Sequence, residues 1–379
     1  MSRHTISKEA GELLTQLSNM EKATLCTGLT FWDLNGVERL GLPSIMVADG
    51  PHGLRKQAGG GHGWLLGSVP AICFPTAAGL ASSWNRSLLE EIGVALGEEC
   101  LQEQVSVLLG PGVNIKRSPL CGRNFEYFSE DPYLSGEMAK AWVQGVQSQG
   151  VGASLKHYAT NNQESHRMVV DTIVDERTLR EIYLPGFETA VREAQPWTVM
   201  CSYNLLNGTY LSEHKWMLTD ILKEEWGHKG LVVTDWGAAN DRVRGIAAGL
   251  ELDMPGNGSV FTPHIFAALE SGELDEDALD AAAGLVIELL LKSKPNIEKS
   301  FNYNEEAHHA LAQRAAEEAC VLLKNDGQLL PLSPADNFSV VGAMAQQPRY
   351  QGAGSSHITP TRVDIPLDEL ARLLPEGKA

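Results

Sequence analysis

Several short apolar runs in this chain end on side chains able to do chemistry. Leu231-Val-Val-Thr-Asp235-Trp236-Gly237 ends on a carboxylate beside an indole. Leu42-Pro-Ser-Ile-Met-Val-Ala-Asp49 ends on a second carboxylate. Gly152-Ala-Ser-Leu-Lys156-His157 ends on an amine and an imidazole, and Thr198-Val-Met200-Cys-Ser-Tyr203 on a phenol. Runs of branched apolar residues read as short strands buried on both faces. An acid at the C-terminal tip of a parallel strand stands where barrels and open α/β sheets keep their chemistry. Asp is also an ordinary helix N-cap, and for Asp235 alone the two readings balance. Polar tips on successive strands shift the balance. If the strands are parallel neighbours, Asp49, Lys156, His157, Tyr203 and Asp235 meet around one mouth. Arg117, from the loop Pro111-Gly-Val-Asn-Ile-Lys-Arg117, and Arg167, from Asn161-Asn-Gln-Glu-Ser-His-Arg167, can join them. Each has a plainer alternative: surface chain for Lys156-His157, a structural ion pair for Arg117, a core phenol for Tyr203. His52 and His62 read as loop residues.

A cluster of Asp, Lys, His and Arg with Trp alongside suits a polyhydroxylated ligand. Hydroxyls need directed donors and acceptors, and a sugar's apolar face can lie on an indole. Nearby cations favour an ionised Asp235, as a nucleophile requires. Retaining glycoside cleavage needs two carboxyl groups about 5–5.5 Å apart, one nucleophile and one acid/base. A different chemistry would make Lys156 the Schiff-base lysine of a barrel aldolase. That leaves Asp235, Asp49 and Arg117 without roles.

These tips need a parallel sheet to hold them. Residues 6–28 read as helix, with Ser7 a cap, and helical segments over 87–103, 135–149, 176–194 and 215–225 separate the strands. Alternation over about 250 residues predicts a (β/α)8 barrel, the count of eight resting on length and fold type. The barrel domain is placed at 1–292, with a polar, proline-bearing linker at 293–305. Residues 306–379 read as the first part of an α/β sandwich domain, with a helix over 305–324 and a strand over 337–342. About 75 residues is little for such a domain, so this unit is expected to be incomplete.

The net charge of −18 over 379 residues argues against nucleic acid or an anionic membrane as partner. The six cysteines form no CxxC pair and no His cluster has zinc spacing, so no metal is expected. The N-terminus lacks an apolar signal core and no apolar run reaches spanning length, which makes the cytoplasm the expected address.

Together the motifs resemble the β-glucosidase branch of glycoside hydrolase family 3. The matching stretches are Val47-Ala-Asp49-Gly-Pro-His-Gly-Leu-Arg55, Gly110 through Glu126, Phe128-Ser-Glu-Asp-Pro-Tyr133, Lys156-His-Tyr-Ala-Thr-Asn-Asn162, Met200-Cys-Ser-Tyr203-Asn and Val233-Thr-Asp235-Trp236. Val321-Leu-Leu-Lys-Asn-Asp-Gly-Gln-Leu-Leu-Pro331 follows the linker. The resemblance implies a barrel followed by an α/β sandwich, no cofactor, and small β-glucosides or oligosaccharides as substrates. It implies Asp235 as the nucleophile that forms a glycosyl-enzyme intermediate. Asp49, Arg117, Lys156, His157, Arg167 and Tyr203 would hold the sugar, Met200 and Trp236 would line its subsite, and Ser355 would reach it from the second domain.

In that branch the acid/base is a glutamate beyond the nucleophile, and no glutamate here matches it. Glu369 and Glu376 are not assigned. The branch that removes N-acetylglucosamine uses a loop histidine, which Glu164-Ser165-His166 resembles faintly. The alternatives are thus a sugar-binding fragment with impaired catalysis, or a β-N-acetylglucosaminidase or β-xylosidase of the same family. A homo-oligomer or a further C-terminal segment could complete the site.

Overall fold

Five buried runs form a parallel sheet in the computed structural model, which describes residues 6–59, 67–258, 260–297, 299–333, 336–337 and 339–374. His62 and Glu376 lie outside the described residues. A two-residue strand, β1 (Asp33–Leu34), precedes β2 (Ile45–Asp49), β3 (Val107–Leu109), β4 (Gly152–Tyr158), β5 (Thr198–Cys201) and β6 (Leu231–Thr234). The strands are neighbours in that order. Val47 pairs with Val107, Val107 with Gly152, Leu155 with Val199, and Val233 with Met200, all in parallel.

Single bridges close the ring beyond β6. Val233 bridges Leu252 and Thr27 bridges Asp253, both in parallel, and Gly28 bridges Leu34 antiparallel. The result is a closed barrel that departs from eight equal parallel strands in two places. β1 runs antiparallel to β2, because the roughly ten residues between them are too few for a crossover helix. The segment 248–255 contributes bridges rather than a full strand.

Alternation within the strands explains why the polar tips converge. Val47, Val107, Leu109, Met200 and Val233 belong to the cluster inside the barrel. Ala48, Leu108, Ala153, Leu155, Val199 and Val232 belong to the cluster beneath the surrounding helices. With a period of two, the inward face after Val47 is Asp49, after Val233 it is Asp235, and next to outward Leu155 it is Lys156.

The outer layer includes helices Arg86–Gln102, Pro132–Ser148, Pro185–Ala194 and Trp216–Glu225, the last wound with π-type turns. The first two touch backbone to backbone: a Cβ on Gly145 would lie 2.1 Å from the carbonyl oxygen of Glu90. The single helix expected over 6–28 is two, Lys8–Leu14 and Asn19–Leu25. Ser18 breaks it by accepting from the Glu21 N–H while the Glu21 carboxylate accepts from the Ser18 N–H, a capping box.

Helix Glu276–Ile297 carries Pro295 in its last turn. Helix Glu305–Glu318 follows, shorter than expected. The strand anticipated at 337–342 is not formed among the described residues; Val340 and Val341 are exposed. A strand needs paired backbone groups, and no neighbouring strand lies beside this one in the described residues. The chain then returns to the barrel, where Thr359–Pro360 pairs in parallel with Pro70–Ala71. Among the described residues, no helix is long and apolar enough to cross a membrane.

Candidate active site

The inward-facing tips and three loops line one common cavity. Asp49, Lys156, His157, Arg167, Met200, Tyr203, Asp235, Trp236 and Ser355 all line it. Arg117 does not: it is exposed. Arg123, six residues further along the same loop, lines the cavity instead. Loops lack the periodicity that fixes strand faces, so the choice between two arginines was not readable. The available signal was Glu126, three residues beyond Arg123 and ion-paired to it. Phe31, Trp32 and Leu109 also line the cavity without having been anticipated. His166 is exposed and outside it.

Asp49 and Lys156 form a buried ion pair at 2.7 Å. Burial alone would raise the Asp49 pKa. The charge and hydrogen bond of Lys156, with a hydrogen bond from Ser355, outweigh that and hold it at about 2. The pair leaves the Lys156 ammonium engaged, which disfavours the aldolase role. His157 is buried, with Nε2 2.9 Å from Arg123 Nη2 and Nδ1 3.2 Å from the Tyr127 hydroxyl. Burial, then the charges of Arg123, Lys156 and Arg167, keep its pKa well below the ordinary imidazole value. Arg167 donates to Glu164 at 2.9 Å and lies over the Tyr203 ring, 4.6 Å from its centroid.

Asp235 sits at the tip of β6 with 13% of its side chain exposed. Oδ1 accepts the Trp236 N–H at 2.8 Å, and Oδ2 is 3.7 Å from His157 Nε2. Trp236 is fixed by its indole N–H to the Phe31 carbonyl at 2.8 Å, and its ring lies 5.4 Å from that of Trp32. Each cation lining the cavity has a carboxylate of its own: Lys156 has Asp49, Arg123 has Glu126, Arg167 has Glu164. Asp235 is the remaining anion, beside an aromatic wall. Among the described residues, no group of three or more His, Cys, Asp or Glu could hold a metal. The arrangement can bind a polyol through directed polar groups and present one carboxylate to it.

Comparison with known proteins matches both parts of the chain to one family. Residues 8–289 match the glycosyl hydrolase family 3 N-terminal domain, and residues 320–377 the glycosyl hydrolase family 3 C-terminal domain. The chain is 56% identical to thermostable beta-glucosidase B of Acetivibrio thermocellus, over 95% of this chain and 48% of that protein. It is 50% identical to an exo-alpha-(1->6)-L-arabinopyranosidase of Bifidobacterium breve, over 93% of this chain and 48% of that protein. Among solved structures, beta-glucosidase 3B of Thermotoga neapolitana in complex with glucose superposes with a TM-score of 0.89 at 42% identity, covering 96% of this chain and 56% of that one. The chain thus spans about half the length of the curated relatives it matches.

Proposed function

The chain belongs to glycosyl hydrolase family 3, and on that premise we propose that its cavity binds the terminal sugar of small β-glucosides for retaining exo-hydrolysis. Asp235 is the nucleophile. Its Oδ2 attacks the anomeric carbon as the glycosidic bond breaks, giving a glycosyl ester that water then hydrolyses. The Trp236 N–H fixes Oδ1 and so sets the attacking face. Arg123, Lys156 and Arg167 supply donors to the sugar hydroxyls, with Asp49 as acceptor. Trp32 and Trp236 offer aromatic faces at the mouth. The observation that carries this reading is the charge pattern: of the two carboxylates lining the cavity, Asp49 is ion-paired to Lys156, whereas Asp235 has no Lys or Arg ion pair among the described residues.

No residue of this chain is assigned as general acid, and the domain division at about residues 292 and 306 remains part of the proposal. Loss of a general acid costs about 10²–10⁴-fold, mostly for leaving groups that need a proton. An activated 2-fluoro-glucoside needs little such help, so it should still label the chain. Peptide mapping should find one added fluoroglucosyl group on Asp235, absent in Asp235→Asn. Label on another residue would remove Asp235 from its role. Glucose binding by calorimetry with no labelling would favour a sugar-binding chain that does not hydrolyse. Aryl xylosides and aryl N-acetylglucosaminides, run beside the glucoside, identify the sugar.

A further inference from the structure

The two arginines at the cavity are joined by one continuous hydrogen-bonded path. Arg123 is ion-paired to Glu126 through Nε, and its Nη2 lies 2.9 Å from His157 Nε2. His157 Nδ1 lies 3.2 Å from the Tyr127 hydroxyl. Asn161 Nδ2 donates to that same oxygen at 3.4 Å and to Glu164 at 3.1 Å. Glu164 accepts from Arg167 at 2.9 Å.

The ends of this path fix the direction of the bonds between them. A guanidinium has donors and no acceptor. His157 Nε2 must therefore present its lone pair to Arg123, so the neutral ring carries its proton on Nδ1. That N–H meets the Tyr127 oxygen. Burial of the ring together with three nearby cations keeps it neutral, as the geometry requires. Burial also pushes the Tyr127 phenol up, so its oxygen accepts as a hydroxyl and not as a phenolate. The Nδ1–H form is the less common neutral tautomer of histidine in water, and a fixed acceptor is what selects it.

We infer that Tyr127 is a positioning residue: it locks His157 as the Nδ1–H tautomer, so that the Nε2 lone pair holds Arg123 at the cavity beside Asp235. No proton moves in this arrangement. Tyr127 acts through the imidazole on a guanidinium already tied to Glu126, and the sugar-facing donor of Arg123 is aimed by two bonds instead of one. The kinetic consequence rests on the function proposed above; the tautomer does not.

The test is nitrogen NMR of the full chain labelled with 15N histidine, with His157 assigned by comparison with His157→Gln. At neutral pH the parent should show a pyrrole-type Nδ1 and a pyridine-type Nε2. An Nε2–H pattern or an imidazolium pattern would overturn the lock. In Tyr127→Phe the acceptor is gone, and the ring should shift toward Nε2–H, turning its N–H against Arg123. An unchanged tautomer in that variant would also overturn it. Should Tyr127→Phe fail to fold, the parent spectrum alone decides. On an aryl glucoside, Tyr127→Phe should lose about tenfold in kcat/KM, the scale of one hydrogen bond. Labelling of Asp235 with the wrong tautomer defeats the lock and spares the site. The expected tautomer without labelling does the reverse.

Discussion

Asp49 and Lys156 are 4% and 2% exposed, and each is the charge partner the other needs. Burying either alone costs several kcal/mol, whereas the pair is tolerated. The Asp49 pKa is held at about 2, below its ordinary 3.8. A depressed acid contributes stability above its unfolded pKa, and that contribution is lost as pH falls through about 2. Lys156→Met removes the partner, leaving burial to push the carboxyl up instead. The variant should lose about 3–5 kcal/mol at pH 7. It should recover part of this near pH 4, where the orphaned carboxyl can protonate. Urea denaturation at the two pH values checks this, and equal stability of variant and parent at pH 7 would refute it. Residues such as these were legible because strand alternation fixes which side chain faces inward at each tip. Arg123, Phe31 and Trp32 were not, because their segments carry no such period. Arg117 and Arg123 share one loop, and only three-dimensional packing distinguishes them.

At the scale of elements, helix Glu305–Glu318 is fastened to barrel helix Arg86–Gln102 through one imidazole. His308 Nδ1 lies 3.1 Å from Glu99 and Nε2 2.9 Å from Glu98, while Tyr303 stacks on its ring at 4.8 Å. Arg314 with Glu91 and Asn85 with Glu318 flank it. Burial opposes charge on His308, but Glu99 and Glu98 outweigh it and raise its pKa above 6.5. A raised histidine pKa gives stability that is full below 6.5 and lost as pH rises through the folded value. Burial also raises the Glu99 pKa, which acts in the same direction. His308→Gln, which keeps a hydrogen-bond donor beside Glu99 but cannot carry charge, should cost about 1–3 kcal/mol near pH 6, the scale of hydrogen bonds to charged groups, and less by pH 8.5. Thermal unfolding of parent and variant at both pH values reads the difference, which other titrating groups leave largely unaffected. A gap independent of pH would exclude the clamp. The helices themselves were legible from apolar spacing and caps. The break at Ser18 was written in the sequence as Ser-x-x-Glu, yet the apolar pattern running through it favoured one helix. The strand at 337–342 failed for the opposite reason: local propensity was present, and a partner strand was not beside it.

Over the whole molecule, the post-linker chain returns to the barrel along residues 351–361 and brings Ser355 to the cavity. Gly352 lies against Phe125, where a Cβ would come within 2.5 Å of the ring. Ile358 is 1% exposed, with its Cδ1 only 2.7 Å from where a Cβ on Gly53 would sit. The Thr359 N–H donates to the Ser68 hydroxyl at 2.9 Å, and the Thr361 N–H to the Ala71 carbonyl at 2.9 Å. Ser355 lines the same cavity as Asp49, so the strap and the barrel share one site. Ile358 joins the cluster beneath the barrel's helices but enters it from the strap, so truncating it weakens docking more than it weakens the barrel. Ile358→Ala should cost about 2–5 kcal/mol, concentrated in that docking. Hydrogen exchange should then accelerate at Thr359 and Thr361 while β6 keeps its protection, because local opening can occur far below the global unfolding free energy. Glucose affinity by calorimetry should fall alongside, since the cavity loses Ser355 from its lining. Faster exchange with unchanged affinity would show that the strap only covers the barrel and that Ser355 does not serve the cavity. Uniform acceleration in β6 as well would place Ile358 in the barrel's own cooperative unit, and the two parts of the chain would then unfold as one.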